Sequence, residues 1–582
     1  MPTTIHETRR RFMAHFAGLG LGSTLLPGVL WGEMQQQGAQ RITPEMLKTA
    51  LAVSGIEFSD EDHAAMVAGV NQSLTRYEEL HKLHIPNNVG LPFHFTTIVP
   101  GIEVNRTKQP FRISDNPSVK RPANLEDAAF WPVRNLAELI RSRQVTSVDL
   151  TQMYLARLKK INAKLNCVVT FLDDLAMQQA KQADSEIAAG KYKGPLHGIP
   201  WGAKDIIAAR GYKTTWGSDA FKDQMLDEEA TVIELLRNAG AVLIAKLTTG
   251  EFAHGDQHLL GQTKNPWNLA EGSSGSSCGP GSATGGGGVA FSIGTETSGS
   301  ILGPSGRCGV TGLRPTFGRI SRYGVMVVSW TQDRLGPMCR YAEDCALVMN
   351  AVAKQDGRDL TVSDIPFNWN AQLDIKKLRA GYIKEGFDNL TGLAKQNGDK
   401  LLAQMQTLGV KLVPMTIPEF PWFVSSYEIE EGVFQNELVL SGRHKNVTRK
   451  QLATGFQSAR AVSAVDYLVS QRARLMMMMK LAEATAGFDV WLAVAGGGGG
   501  GARGGERGAA PAPPQSATQR HSGMANSAGY PALAIHNGWS ESGSPTSVTF
   551  FGRPFGEAEI LALGKAYQDA AQIHVKHPKL DS

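Results

Sequence analysis

A segment rich in glycine and hydroxyl residues is the first place in the chain where chemistry could occur. Residues 271–300 read EGSSGSSCGPGSATGGGGVAFSIGTETSGS. Tracts of this composition are usually flexible linkers. Here, however, Val, Ile, Leu and Tyr alternate with turn residues directly after the tract, which predicts packed strands and tight turns. In such a frame glycine allows close backbone approach, and the serines become candidate nucleophiles.

A lysine in an apolar segment is the second candidate. Lys204 follows the apolar residues of GIPWGAKDII, and lysine is seldom buried. One interpretation is a surface lysine whose stem lies along apolar neighbours while its charge reaches water. The other is a desolvated lysine, whose pKa falls toward neutrality so that it can act as a general base. The local pattern leaves both interpretations open.

The composition narrows the classes of protein. Of the 582 residues 42% are apolar, which permits a large core, and the net charge of +5 comes without a long Lys/Arg run. No nucleic-acid partner is therefore expected. No phosphate-binding G-K-[ST] motif follows the glycine runs, and His81 and His84 have no neighbouring ligand residue, so neither a cofactor nor a metal is expected. The cysteines are odd in number and lack C-x-x-C spacing, which predicts free buried thiols: they are Cys167, Cys278, Cys308, Cys339 and Cys345.

The elements that must position these residues read as an α/β protein. From Glu126 onward helical and strand patterns alternate, as in ATVIELLRNAGAVLIAKLT. This order predicts a large mixed twisted sheet covered by helices on both faces. Residues 41–125 read as a helical N-terminal extension, with helix starts at Thr43 and Ser59, followed by an extended strap. Residues 126–582 form the predicted catalytic domain, in which the Gly/Pro-rich stretch 495–514 is expected to be a mobile loop.

The first forty residues differ from the rest. The order Thr8-Arg9-Arg10-x-Phe12-Met13 precedes a short Gly/Leu-rich run and is similar to a twin-arginine export signal. The alternative is the basic start of an amphipathic helix in a cytosolic protein. No clear A-x-A site is present, so both cleavage and anchoring remain open. The pattern predicts export to the periplasm or cell envelope, with no membrane span apart from this segment.

Three motifs together carry a resemblance to a known family. Gly198-Ile199-Pro200 leads to Lys204-Asp205, Gly275-Ser276-Ser277 follows, and the third motif is the octet GTETSGSI at 294–301. In this order and spacing the motifs resemble those of the amidase signature family of serine hydrolases. The likeness extends from about Glu126 to the C-terminus and implies the amidase signature fold. It also matches 333–351 to the family's next helix.

The resemblance implies a serine amidase that hydrolyses an amide carbon–nitrogen bond through an acyl-enzyme. It assigns Ser300 as the nucleophile, Ser276 as a bridging serine next to a cis peptide bond, and Lys204 as the base of a Ser-Ser-Lys triad. This assignment is chemically sound, because a serine hydroxyl needs an adjacent base to become a nucleophile. The resemblance also implies an oxyanion hole made by backbone N–H groups, those of Thr297, Ser298, Gly299 and Ser300.

The sequence departs from the family pattern at two places. Leu302-Gly303 stands where family members commonly have Arg, so a substrate carboxylate would lack an obvious partner there. Four glycines at 285–288 replace what is often an Ala-rich helix. They would cost roughly 3 to 4 kcal/mol in a helix interior, which puts the rigidity of the site in question.

Aromatic and apolar residues near the motifs bear on the substrate. Trp201, Met326 and Trp330 lie close to the motifs in sequence. Together with the missing Arg, they favour a small-molecule amide whose acyl group is uncharged and apolar or aryl. The sequence leaves open whether the chain forms a homodimer.

Three other functions were weighed. Residues 275–279 also fit G-x-S-x-G, which would make Ser277 the nucleophile of an α/β-hydrolase-type esterase with a histidine such as His521 or His536. That motif follows a strand, and NPWNLAEGS does not read as one. The glutamine amidotransferase component that releases ammonia for transfer-RNA charging belongs to the same family, but export would separate it from transfer RNA. An exported non-catalytic binding protein is disfavoured because all three catalytic positions are intact.

Overall fold

The computed structural model describes residues 41–52, 57–81, 95–115, 117–420, 426–495 and 516–580. The predicted signal segment 1–40 lies outside the described residues, as does the predicted loop 495–514 apart from Ala495. The helices of the described residues are α1 Pro44–Ala52, α2 Asp60–His81, α3 Val133–Arg141, α4 Ser147–Leu165, α5 Asp173–Ala188, α6 Thr231–Asn238, α7 Cys278–Gly285, α8 Leu302–Cys308, α9 Ala342–Val352, α10 Lys384–Asp388, α11 Gly392–Thr407, α12 Ser426–Phe434, α13 Asn436–Leu440, α14 Lys450–Ser458, α15 Ala464–Thr485, α16 Ala517–Ser527 and α17 Glu557–Ala571. None of these helices is long and apolar enough to cross a membrane.

The strands belong to one large sheet and two small hairpins. The large sheet has eleven strands in the order β1-β3-β2-β8-β10-β9-β14-β15-β13-β11-β12, and the hairpins are β4-β5 and β6-β7. Their bounds are β1 Val168–Phe171, β2 Pro200–Lys204, β3 Val242–Leu247, β4 Gln257–His258, β5 Gly261–Gln262, β6 Lys264–Asn265, β7 Asn268–Gly272, β8 Phe291–Glu296, β9 Thr311–Arg314, β10 Arg334–Cys339, β11 Ala380–Ile383, β12 Leu412–Met415, β13 Val490–Val494, β14 Ala532–Trp539 and β15 Pro545–Gly552.

The sheet is mixed and its centre is buried on both faces. β2 runs parallel to β3 and β8, whereas β10 is antiparallel to β8 and β9. Every residue of β2, β3, β8, β9 and β10 is buried. Because successive side chains point to opposite faces of a strand, complete burial means that both faces are covered. The predicted mixed sheet covered by helices is confirmed.

The described residues form two compact units. Residues 41–81 and 420–476 belong to one unit, and residues 95–419 with 477–580 belong to the other, which contains the whole sheet. In the first unit the predicted hydroxyl starts are confirmed. Thr43 Oγ1 accepts a hydrogen bond from the Met46 N–H at 3.3 Å, ahead of α2 the Ser59 hydroxyl accepts one from the Asp62 N–H, and the Asp62 carboxylate accepts one from the Ser59 N–H in return. Both pairings satisfy N–H groups that a helix start would leave open.

One predicted helix begins with a strand instead. Residues 334–339 form β10, and helix α9 starts only at Ala342. Pro337 is disfavoured inside a sheet because it lacks an N–H group. β10 nevertheless pairs with β8 on one side and β9 on the other. Tertiary pairing therefore overrides a local pattern that gave little indication of a strand.

Candidate active site

Strand β2 carries Lys204 into the interior. The side chain is fully buried at the carboxyl end of the strand. Its amine donates to the Ser276 hydroxyl and to the Thr295 hydroxyl, each at 2.8 Å. The surface interpretation of this lysine is therefore wrong, and the desolvated interpretation is correct.

Burial lowers the pKa of Lys204 to about 7. The cause is desolvation, which disfavours the charged ammonium. Attraction to Cys278, Asp333 and Glu296 acts in the opposite direction but is the smaller effect. A lysine with this pKa is partly neutral at neutral pH, so its nitrogen can accept a proton.

Ser276 is held against the backbone of a neighbouring loop. The peptide bond between Gly275 and Ser276 is cis, and the Ser276 carbonyl accepts a hydrogen bond from the Gly250 N–H at 3.2 Å. A Cβ atom at position 275 would lie 1.7 Å from the Gly255 carbonyl oxygen. Only glycine fits this approach of two backbone segments.

A short turn between β8 and α8 presents Ser300. The Glu296 carboxylate, fully buried and paired with Arg314 at 2.9 Å, accepts hydrogen bonds from the N–H groups of Ile301 and Leu302. Ser300 itself is half-buried. Within the described part of the chain no group accepts a hydrogen bond from the backbone N–H of any residue in 297–300. These four donors are available to a ligand.

The structure brings the three sequence-predicted side chains to one region, with one contact of the relay formed. The Ser277 N–H donates to the Ser300 carbonyl at 3.1 Å, which joins the two serine segments. Lys204 donates to Ser276. Among the hydrogen bonds of the described residues there is none between the Ser276 and Ser300 hydroxyls. Catalytic hydrogen bonds are often long in unliganded enzymes and tighten when substrate binds.

The α/β-hydrolase alternative fails, although not for the reason that the sequence offered. The expectation that no strand precedes Ser277 was wrong, since β7 ends at Gly272. The Ser277 hydroxyl, however, is fully buried, donates to the Thr295 carbonyl at 3.0 Å and accepts from the Thr295 N–H at 3.1 Å. His521 instead accepts from Trp491, and His536 bonds Gly538. Neither histidine is placed to activate Ser277.

The four glycines at 285–288 do not loosen the site. Helix α7 ends at Gly285, so the other three lie beyond the helix interior. A Cβ atom at Gly285 would lie 2.6 Å from the Cys308 carbonyl oxygen. Glycine at this position permits α7 to pack closely against the end of α8. All five cysteines are free and buried, as predicted.

A cavity of about 260 Å³ lies beside the turn, with Thr295 and Thr297 in its wall. Met326 and Trp330 line it as the sequence suggested, but Trp201 does not, because it is buried and stacks on Phe291 with ring centroids 5.9 Å apart. The remaining lining residues are Ile206, Arg322, Tyr323, Val325, Val327, Val328, Asp333, Arg334, Leu335, Arg358 and Asp359.

Sequence reasoning missed several polar residues that contact the motifs. Thr295, inside the third motif, accepts from Lys204. Asp333 accepts from the Thr297 hydroxyl, and Asn526 donates to the Thr297 carbonyl. Thr295 could have been found, since it lies within the quoted motif. Asp333 and Asn526 carry no local signal, because they come from other parts of the chain. In the described residues no group of three or more His, Cys, Asp or Glu side chains is arranged to hold a metal ion.

Comparisons with known proteins agree with this geometry. A family model described as amidase matches residues 149–561. The chain is 30% identical over 490 residues to the GatA-type component of the glutamyl-tRNA(Gln) amidotransferase of Geobacter metallireducens, covering 76% of this chain and 98% of that protein. It is 32% identical over 485 residues to the same component in Methylococcus capsulatus, with coverage of 76% and 98%.

Among solved structures, the native peptide amidase of Stenotrophomonas maltophilia superposes with a TM-score of 0.67 at 25% identity, covering 78% of this chain and 100% of that one. The 6-aminohexanoate cyclic dimer hydrolase, at 22% identity and a TM-score of 0.65, shares the fold over 78% and 100%. The chain belongs to the amidase family and is a serine amidase that hydrolyses carbon–nitrogen bonds.

Proposed function

We propose that this amidase uses Ser300 as its nucleophile, Ser276 as a proton relay and Lys204 as its base. The observation that carries the proposal is the contact of 2.8 Å between the Lys204 amine and the Ser276 hydroxyl, in a fully buried pair. A neutral amine relayed through a hydroxyl can take the place that histidine has in other serine hydrolases.

The proposed reaction follows from this placement. Ser300 Oγ attacks the amide carbonyl while its proton passes to Ser276, whose own proton passes to neutral Lys204. The carbonyl oxygen becomes an oxyanion, which the N–H groups of 297–300 stabilise. One such donor typically contributes about 3 kcal/mol to the transition state. Lys204 then returns its proton through Ser276 to the leaving amine, and water hydrolyses the acyl-enzyme.

The proposed substrate is a small-molecule amide with an uncharged apolar or aryl acyl group. Support comes from the cavity wall beside Thr295, where Met326, Val328 and Leu335 supply apolar surface. The cavity also contains charged groups, but Arg322 is bonded to the Asp359 carboxylate at 3.0 Å. Its charge is therefore already compensated within the protein.

A substrate panel tests this acyl preference. Anilides that share one leaving group and carry acetyl, phenylacetyl or succinyl groups differ only in the acyl part. We expect phenylacetyl to give the highest kcat/KM, because each buried CH₂ contributes about 0.8 kcal/mol, and Met326→Ala to reduce that advantage. A preference for the succinyl compound contradicts the proposal.

Labelling with a fluorophosphonate probe and peptide mapping tests the triad. We expect the label on Ser300, much slower labelling of Lys204→Ala, and unchanged labelling of Ser277→Cys, which keeps a hydrogen-bonding group at that position. A label on Ser277 contradicts the proposal and returns the esterase alternative. An unlabelled wild-type protein would point to a non-catalytic binding protein.

A second candidate function is release of ammonia from glutamine. It is favoured by the curated relatives, which are components of glutamyl-tRNA(Gln) amidotransferases matched over almost their full length. Glutamine carries an α-carboxylate and an α-ammonium, which fit the largely apolar wall less well than an aryl group does. Ammonia release measured with glutamine and with phenylacetamide under equal conditions distinguishes the candidates. A higher kcat/KM for glutamine selects the second.

We also propose that the chain is exported to the periplasm or cell envelope. The support is the order Arg9-Arg10-x-Phe12-Met13 before a Gly/Leu-rich run. Cell fractionation of the full chain and of an Arg9→Lys/Arg10→Lys variant tests it. We expect the wild-type protein outside the cytoplasm and the variant retained there. Wild-type protein found only in the cytoplasm contradicts this proposal.

A further inference from the structure

The first residue of the turn 297–300 is anchored twice. The Thr297 hydroxyl donates to Asp333 Oδ1 at 2.5 Å. The Thr297 carbonyl accepts a hydrogen bond from the Asn526 side-chain amide. Thr297 therefore has both its side chain and its backbone oxygen bonded to residues distant in sequence, although it lies on a partly exposed connection between β8 and α8.

Asp333 links this anchor to a second loop. Its other oxygen, Oδ2, accepts hydrogen bonds from the N–H groups of Val328 at 2.8 Å and Ser329 at 2.9 Å. The carboxylate thus joins three donors from two segments. A charge-assisted hydrogen bond of this kind is stronger and more directional than one between neutral groups.

The far end of the turn is held by a different carboxylate. Glu296 accepts from the N–H groups of Ile301 and Leu302. Between these two fixed ends lie the four N–H groups for which the described residues supply no acceptor. Donors that are already oriented stabilise an oxyanion without reorganisation at the moment of reaction, whereas a mobile turn would lose that benefit.

We infer that Asp333 is a positioning residue, which fixes the oxyanion-binding turn of this amidase through its hydrogen bond with the Thr297 hydroxyl. The inference rests on the proposed function, in which the N–H groups of 297–300 receive the oxyanion. Asp333 lines the cavity, yet its two oxygens already accept three hydrogen bonds, so little acceptor capacity remains for a substrate amine.

The chain offers a matched control for Asp333. Asp356 also accepts from one threonine hydroxyl, that of Thr231 at 2.5 Å, and from two backbone N–H groups, those of Arg358 and Asp359. It has the same kind of bonds but no contact with the turn. Asp356→Asn therefore reports what the loss of such a carboxylate does to the fold alone.

The experiment compares Asp333→Asn, Thr297→Val, the double variant, Thr297→Ser and Asp356→Asn. For each, kcat and KM are measured on one anilide, together with the affinity for an aldehyde that forms a tetrahedral adduct with serine and for the corresponding unreactive amide. We expect Asp333→Asn and Thr297→Val each to lower kcat and aldehyde affinity by about 10- to 100-fold, up to what the loss of one oxyanion donor costs. KM and amide affinity should change by less than about threefold.

The remaining variants make the inference specific. The double variant should lose no more than the larger single loss, because both changes remove one and the same bond. Thr297→Ser keeps the hydroxyl and should retain most of the activity. Asp356→Asn should leave kcat and aldehyde affinity near the wild-type values. Thr297→Val and Thr297→Ser carry the test if Asp333→Asn does not fold.

Other outcomes overturn the inference. Multiplicative losses in the double variant mean that the two residues act separately. A rise in KM and a loss of amide affinity with unchanged aldehyde affinity mean that Asp333 binds substrate. Equal losses in Asp356→Asn mean a general effect on folding. Failure of the proposed function itself is distinguishable, since fluorophosphonate would then label the wild-type protein at a residue other than Ser300.

Discussion

The amine nitrogen of Lys204 lies 2.8 Å from the hydroxyl oxygen of Ser276, and both side chains are fully buried. Burial disfavours the ammonium form and brings the pKa of Lys204 to about 7. A base is most effective when its pKa is close to the working pH. This pair can therefore exchange a proton in either direction, which both halves of the proposed reaction require.

The pH dependence of activity should follow Lys204. Because only the neutral amine accepts a proton, we expect kcat/KM to rise with pH and to level off above an inflection near 7. The groups that influence this titration are Cys278, Glu296 and Asp333. Steady-state rates between about pH 5.5 and 9 measure the inflection. A profile that stays flat across this range, or falls through pH 7, contradicts the assignment of Lys204 as the base.

Removal of the relay should cost activity without additivity. We expect Lys204→Ala and Ser276→Ala each to lower kcat by about 10³- to 10⁴-fold, since residues that act as one unit fail together. The double variant should be no worse than the weaker single variant by more than about tenfold. Single-turnover acylation measured with an activated ester and with an anilide is the check. Losses that multiply in the double variant would mean independent roles.

Asp344 should make the stability of the fold depend on pH. Its carboxylate accepts the Val133 N–H at 3.0 Å, and burial raises its pKa to about 7, against smaller effects of Arg340, Glu343 and Arg134. The folded chain then keeps this proton at pH values where the unfolded chain has lost it.

The sign of the Asp344 effect follows directly. Its contribution to the free energy of unfolding is fully present below about pH 4, the ordinary range of an aspartate, and is lost as pH rises through 7. Denaturant unfolding of the wild type and of Asp344→Asn at pH 5 and pH 8 measures it. We expect Asp344→Asn to reduce the difference between the two pH values. An unchanged difference would show that other groups cause it.

Gly285→Ala should destabilise the protein, against the usual helix preference. Alanine in place of glycine within a helix normally stabilises by about 1 kcal/mol. At Gly285 the new Cβ would lie 2.6 Å from the Cys308 carbonyl oxygen, whereas at Gly455 in α14 no atom lies within 4 Å. We expect Gly285→Ala to cost about 1 to 3 kcal/mol and Gly455→Ala to be neutral or stabilising. Denaturation midpoints decide, and a stabilised Gly285→Ala would be the contrary result.

The sequence alone determined the class of protein, the core elements around the site and the three residues proposed for catalysis. Lys204 and the strand that carries it lie in one continuous apolar segment, and the serines lie in two short motifs. Signals of this kind are local, because burial pattern, turn chemistry and motif spacing are properties of neighbouring residues. For the same reason the helix starts at Thr43 and Ser59 could be predicted.

Tertiary structure decided what surrounds these residues. It placed Asp333 against Thr297 and Asn526 against the same residue, made β10 a strand despite Pro337, and put Trp201 in the core rather than in the cavity. Hydrogen bonds between segments far apart in the chain leave no trace in local propensity, and strand pairing depends on the partner strands. The residues that hold the reactive groups in place thus became visible only once the sheet had brought distant segments together.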